Sequence, residues 1–224
     1  MRILIVSFRA RQDGNCDGIS RMIQEHYDHS CTVFRFSQQQ IHPCGGCRYE
    51  CFGKETTCPY IADPEYGLLD AICNHDLTYF VIPNYCDYPC ANYFIFNERS
   101  QCYFQHKPER LDRFINVKKK FIIISNTNQD NFRQILRQNV YCEPEILFLS
   151  AKSFGKISIN GDLLTSDAAA EIEKRRLSSK DRLPHRGHQA QCFWCSTSFS
   201  YIYYSINWHR MQQNFYFVAF AGVE

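Results

Sequence analysis

Arg2-Ile3-Leu4-Ile5-Val6-Ser7-Phe8-Arg9-Ala10-Arg11-Gln12-Asp13-Gly14-Asn15-Cys16-Asp17-Gly18-Ile19-Ser20-Arg21-Met22-Ile23 decides the fold. Residues Arg2 to Ser7 are β-branched and almost continuously apolar, which suits a strand buried on both faces of a parallel sheet. Helical spacing of apolar residues resumes at Ile19, Met22 and Ile23, so the loop Phe8 to Asp17 delivers the chain onto a helix N-terminus. Backbone N–H groups without helical acceptors and the positive end of the helix dipole meet at such a point, which suits an anion. A plain tight turn at Asp13-Gly14-Asn15 is the simpler alternative.

At 224 residues, 45% of them hydrophobic, the chain is long enough for one α/β domain with an appendage and short for two. A formal net charge of +2 and a pI of about 7.9 give no global field that would recruit nucleic acid or an acidic membrane. No apolar run reaches the roughly 20 residues of a membrane helix, and the first strand is too short and too soon polar for a signal peptide. A cytoplasmic location is expected. Thirteen cysteines, an odd count, argue against a complete disulfide framework. Only the bunch Cys44, Cys47, Cys51 and Cys58 is informative.

Further strands are expected at Cys31–Phe36, on an edge, at Leu77–Ile82 ending before Pro83, at Lys118–Ser125 and at Glu145–Leu149. The leading lysines Lys118 to Lys120 read as a solvated strand entry. Helices are expected at Pro64–Cys73, over the aromatic stretch up to Phe104, at Phe132–Gln138 and from Ser166 to about Leu177. Residues 105 to 117 read as a polar connection, and Ile41 to Asp63 as irregular, punctuated by glycine and proline. This alternation implies a three-layer α/β/α sandwich with a five-stranded parallel sheet in the order 2-1-3-4-5. The ligand crevice then opens where strands 1 and 3 diverge, faced by Phe8 to Asp17, Asn84 to Cys90 and Asn126 to Asn131. The domain spans 1–178. Residues 179–224 form an aromatic-rich tail of different character, without an acidic residue from Leu183 to Val223. His185, His188, Cys192 and Cys195 there have a zinc-like spacing, for which coincidence is the simpler account.

Together these motifs resemble the flavodoxin-like NADPH-dependent FMN reductases, nearest the iron–sulfur flavoprotein branch, over Met1 to about Arg176. Arg11, Gly14 and Asn15 match the phosphate loop of that family, while Arg9 and Cys16 stand where it has hydroxyl residues. Pro43-Cys44-Gly45-Gly46-Cys47, Cys51, Cys58 and Asp63 resemble its cysteine loop; such thiolates can ligate a [4Fe–4S] cluster, hold zinc, or stay free thiols. Ile82-Pro83-Asn84-Tyr85-Cys86-Asp87-Tyr88-Pro89 resembles the loop that passes beside the isoalloxazine ring, where a tyrosine face suits a flat π system. Arg99, in Asn97-Glu98-Arg99, is expected to make a structural ion pair.

The resemblance implies an oxidoreductase with FMN held by Arg9, Arg11, Gly14, Asn15 and Cys16 at its phosphate and by Pro83, Asn84, Tyr85 and Cys86 along its ring. NAD(P)H would be cosubstrate, and a quinone, a flavin or an iron–sulfur protein the acceptor, with no catalytic side chain required. It also implies a homodimer or homotetramer. The rival readings are a flavodoxin-type electron carrier with an iron–sulfur relay, and a noncatalytic scaffold with a cysteine zinc or thiol-sensor site.

Overall fold

The computed structural model describes residues 1–12, 14–28, 30–47, 58–105, 107–125, 129–139, 145–150, 170 and 174. The chain divides into two units, Met1–Lys180 and Asp181–Glu224, and the described residues all belong to the first. Its elements in order are β1 (Ile3–Ser7), α1 (Asn15–His26), β2 (Cys31–Arg35), α2 (Pro64–Asn74), β3 (Leu77–Tyr85), β4 (Tyr88–Pro89), α3 (Ala91–Phe104), α4 (Pro108–Asn116), β5 (Lys118–Ser125), α5 (Asp130–Asn139) and β6 (Glu145–Ser150). One 3₁₀ turn, Phe36–Gln38, follows β2.

The sheet runs β2-β1-β3-β5-β6, all parallel, so the five long strands take the expected order. The short β4 is an addition, pairing antiparallel with the end of β3. Alternation of side chains divides the core between the two faces. Leu4, Val6, Phe80, Ile82, Phe121 and Ile123 meet residues of α2, α3 and α5 on one face. Ile3, Ile5, Tyr79, Val81, Ile122 and Ile124 meet Cys16, Ile19 and Ile23 of α1 on the other. The expected helix after Ser166 lies outside the described residues except for Ala170 and Lys174, both helical, and the tail lies outside them altogether.

Three expectations need correction. β3 does not stop before Pro83 but runs on to Tyr85. Phe8 N–H bonds Val81 O at 3.0 Å, so Val81 faces β1; Pro83, two residues on, faces the same side, where β1 has already ended. The missing N–H therefore leaves no ladder bond unmade, and Pro83 O instead accepts from Cys90 N–H at 3.1 Å. Residues 108–116, read as connection, form α4. Pro108 at its start, Glu109 in the first turn, Arg113 in the last and the inward Leu111 and Phe114 were its signals. The lysines of β5 are not a solvated entry. Lys120 is buried, 3.5 Å from Glu145 and 5.9 Å above the Tyr79 ring. Lys119 Nζ donates to the carbonyls of Phe114 and Val117, closing the C-terminus of α4.

The crest of β1 is fixed by Phe8. Its ring stacks on Phe36 and Phe80 at 4.8 and 5.8 Å and meets the edges of Tyr93 and Phe96 at 5.4 and 5.6 Å. Phe8→Ala is expected to cost about 3–5 kcal/mol, the usual loss for truncating a buried phenylalanine. The check is a lowered urea midpoint at unchanged slope.

Candidate functional site

Gly14 caps α1 with extended backbone (φ −100°, ψ −174°) and no side-chain cap. Intrahelical bonding starts with Asp17 N–H and Gly18 N–H, both to Gly14 O, so the N–H groups of Asn15 and Cys16 belong to the first turn, which lacks helical acceptors. Below this turn lies Arg9, which is only 4% exposed. Its Nη2 pairs with Asp17 Oδ2 at 2.5 Å, while Nε and Nη1 are buried without a hydrogen-bond partner among the described residues. A Cβ on Gly14 would sit 3.1 Å from Arg9 Nη1, so glycine leaves the guanidinium room directly beneath the helix start. A buried, partly unsatisfied cation beside a helix N-terminus is costly unless an anion completes it. Arg11, by contrast, is exposed.

Cys16 is buried in the apolar cluster under α1, so its side chain serves the core and only its backbone faces the loop. Burial, with Cys90 nearby adding to it, pushes its thiol pKa up to about 12. Burial likewise pushes Cys90 up to about 11. Both thiols thus stay protonated at neutral pH and add no negative charge. Cys90 Sγ at 3.3 Å and Asn92 Nδ2 at 2.9 Å both donate to Phe8 O, which ties the start of α3 to the β1–α1 loop.

The opposite wall is the end of β3. Pro83 and Asn84 are buried, and Asn84 Nδ2 donates to Ser125 Oγ at 2.8 Å. Tyr85 pairs with Tyr88 across a two-residue turn in which Cys86 (φ 51°) and Asp87 (φ 68°) are both left-handed, the pattern of a type I′ hairpin. Tyr85, Cys86 and Tyr88 are exposed there. Asn131 N–H donates to Asp87 Oδ2 at 3.3 Å, joining this hairpin to the start of α5. The structure therefore sets both expected residue groups at the C-terminal ends of β1 and β3. Residues 126–128 of the third loop lie outside the described residues.

The cysteine loop is held by Arg99, which is indeed a structural ion-pair residue. Its guanidinium donates to Asp63, to His42 O at 3.2 Å and to Tyr60 O at 2.9 Å, and lies 3.3 Å from Glu65 and 3.8 Å from Cys58 Sγ. Both described ends of the loop are thereby stapled to α3. Cys44 is exposed, with its N–H on Glu98 Oε1 at 2.7 Å; Cys47 is half-buried, and Cys58 is buried. Cys51 lies outside the described residues. Among the described residues no group of three or more His, Cys, Asp or Glu is placed to hold a metal. The described cysteines are free thiols.

Burial raises Asp63, but the His42 N–H and ring and then Arg99 outweigh it and hold the carboxyl below its ordinary value. Fully buried Glu65 goes the other way, pushed up to about 8 by burial against the pull of Arg99.

Sequence reading passed over a cleft on the β1–β2 side of α1. It measures about 380 Å³ and is lined by Arg9, Gln12, Asp17, Arg21, Arg35, Ser37 and Gln38. Arg35 Nε lies 3.7 Å from Asp17 Oδ1. Its signal was available: Asp17 and Arg21 share a helix face at i,i+4, and Arg35 closes the strand next to β1.

No protein-family model matches the chain, and no curated protein matches it by sequence. Among solved structures it is similar to a protein assigned as a quinone reductase from Klebsiella pneumoniae, with a TM-score of 0.54 and 12% identity over 82% of this chain and 86% of that one. A flavone reductase aligns with a TM-score of 0.52 and 12% identity over 78% of this chain. An azoreductase from Bacillus anthracis aligns with a TM-score of 0.50 and 13% identity over 80% of this chain and 95% of that one. The fold is flavodoxin-like. This chain spans 60% of the length of the flavone reductase. Within the described residues no helix is long and apolar enough to cross a membrane.

Two outcomes test this geometry. Because Glu65 holds its proton more tightly folded than unfolded, stability falls as pH rises from about 4.5 through about 8. Melting temperatures should decline across that window, and Glu65→Gln should flatten the decline. Cys86→Asn, which tolerates the left-handed region, should raise stability by up to about 1 kcal/mol, read as a higher melting temperature.

Proposed function

We propose that this chain is an FMN-dependent oxidoreductase that takes hydride from NAD(P)H and passes electrons to a small acceptor such as a quinone or a flavin. The observation that carries the reading is Arg9: a buried guanidinium with two partnerless nitrogens beneath an uncapped helix start, at the point where β1 and β3 diverge. This donor set fits a phosphate dianion, and the crevice at this switch point suits a nucleotide-sized cofactor.

In this reading the Asn15 and Cys16 N–H groups and Arg9 hold the phosphate, with Gly14 keeping the approach open and exposed Arg11 available from above. Asp17 fixes the guanidinium from below. Pro83, Asn84, Tyr85 and Cys86 form the wall along the ring, and the Asn84–Ser125 bond sets the amide at its base. When bound, FMN supplies the hydride and electron chemistry that no side chain here offers. The protonated Cys16 and Cys90 keep the phosphate end positive. The similarity to quinone, flavone and azo reductases supports the same class. Exposed Tyr85 and Tyr88 give the crevice an apolar rim that a second copy of the chain would cover, in keeping with a homo-oligomer.

An iron–sulfur relay is not part of the proposal. The Cys58 thiol is buried against Arg99, whereas Cys44 is exposed and held by Glu98, so these two do not share one environment.

Protein purified without oxygen, or supplied with FMN, should show two flavin bands that bleach on adding NADPH. A chain that stays colourless with excess FMN overturns the reading. Arg9→Gln should weaken FMN about ten- to a hundred-fold, the value of a charge-assisted phosphate contact. Riboflavin, which lacks the phosphate, should bind the variant and the parent alike.

A further inference from the structure

Cys44-Gly45-Gly46-Cys47 places two cysteines three positions apart, with only glycine between them. Cys44 is exposed and Cys47 half-buried. We propose that these two thiols are a redox-active dithiol that exchanges with small disulfides and closes reversibly into a Cys44–Cys47 bridge. The inference goes beyond the flavin reading and does not depend on it. The pair lies on the loop that Arg99 ties to α3, and the residues that hold it belong neither to the β1–α1 loop nor to the β3–β4 hairpin.

The backbone between the cysteines carries the argument. Gly46, third of the four residues, has φ +68°, the left-handed value that the third place of a type II turn requires. A four-residue turn brings its end Cα atoms within about 7 Å of each other, which is the reach of a disulfide. Space fixes the glycine as well, since a Cβ on Gly46 would sit 3.0 Å from the Tyr60 hydroxyl. Tyr60 is itself held: its ring stacks on His42 at 4.8 Å, the Arg99 guanidinium lies 5.1 Å from the ring centre, and its carbonyl accepts from Arg99 at 2.9 Å. Asp63 receives the His42 N–H at 3.0 Å and lies 3.1 Å from the His42 ring nitrogen. The Cys44 N–H donates to Glu98 Oε1 at 2.7 Å. The turn is thus anchored before Cys44 on Asp63, at Cys44 on α3 and at Gly46 on Tyr60, so closing the bridge moves two side chains and leaves the loop in place.

Exposure assigns the two sulfurs. Cys44 is the one that a dissolved disulfide reaches, and its thiolate is the attacking form. It attacks one sulfur of a small disulfide RSSR, so that a Cys44–S–S–R bond forms and RS⁻ leaves. The half-buried Cys47 thiolate then attacks the Cys44 sulfur, the Cys44–Cys47 bond forms and the second RS⁻ leaves. The protons given up by the two cysteines pass to the two released thiolates. Two protein thiols are oxidised by two electrons in all, and one small disulfide is reduced to two thiols. Other cysteines are placed differently. Cys58 is buried with its Sγ 3.8 Å from Arg99, and burial keeps Cys16 and Cys90 protonated.

Trypsin offers a direct readout, because the peptide Phe36–Arg48 contains Cys44 and Cys47 and no other cysteine. The full chain is reduced, freed of reductant, exposed to glutathione disulfide, blocked with a maleimide and digested. In the parent this peptide should be unlabelled and lighter than its dithiol form by two hydrogens. Cys47→Ser should stop at a glutathione adduct on Cys44, Cys44→Ser should give neither adduct nor bridge in this peptide, and Cys51→Ser should bridge as the parent does. An alanine at position 46 strains a left-handed residue, from which the open dithiol relaxes and the bridged ring does not. Gly46→Ala should therefore lower the equilibrium constant for bridging in a glutathione buffer about tenfold. Maleimide on both cysteines of the exposed parent overturns the proposal. So does a glutathione adduct that persists on Cys44 of the parent, or a bridge from Cys44 to Cys51 or Cys58. Each of these results reads the same whether or not the chain binds FMN.

Discussion

The aromatic clamp on Phe8 is the constraint from which the site follows. Four rings enclose it, and edge and offset contacts of this kind each add about 0.5–1.5 kcal/mol beyond area burial. Its backbone is held as firmly, with the N–H on Val81 O and the carbonyl receiving both Cys90 and Asn92. A residue fixed on ring, donor and acceptor leaves its successor little freedom. That successor is Arg9, so the core of the sheet sets where the one buried cation of the loop must lie.

Two buried arginines organise this molecule in opposite ways. Arg99 has its nitrogens engaged by Asp63, Glu65, His42 O, Tyr60 O and Cys58, with the Tyr60 ring 5.1 Å away, and it binds a loop to a helix. Saturation of this kind leaves nothing for a ligand. Arg9 meets Asp17 through one nitrogen and keeps two others buried and unmatched. Desolvation makes such a state expensive in isolation, and folding tolerates it where binding returns the missing contacts. Burial alone does not separate the two roles; the state of each guanidinium nitrogen does.

The sequence showed the sheet because its strands carry their signal locally. Runs such as Ile3 to Val6 and Phe121 to Ile124 are apolar on both faces and have no other soluble use. It misled where context decides. Pro83 reads as a strand end, but β1 has stopped beside it and no donor is required. Lys120 reads as a surface charge, but its central strand carries it inward to Glu145 and Tyr79. Of the site, Arg9, Gly14 and Asn15 were legible as a loop before a helix, and Arg99 as an ion pair. At Cys16 helix phase turns the thiol into the core, so only its backbone N–H faces the loop. The arginine cleft was not read at all, because Gln12, Arg21, Arg35 and Ser37 come together only when β2 pairs with β1.

The unequal lengths of the strands make the crevice. β1 ends at Ser7, whereas β3 continues to Tyr85 and β5 beside it to Ser125. The space above β1 is therefore open, with ladder positions of β3 facing it. A long exposed edge there would invite pairing with another chain. Pro83 removes one donor from that edge, and β4 turns back through the left-handed Cys86 and Asp87 to cover part of it. The carbonyl of Pro83 is taken by Cys90. What stays open above β1 lies between the hairpin and the uncapped start of α1, a gap walled by tyrosine on one side and by positive charge on the other. A planar, phosphorylated molecule would meet both walls at once, which is the physical ground of the flavin proposal.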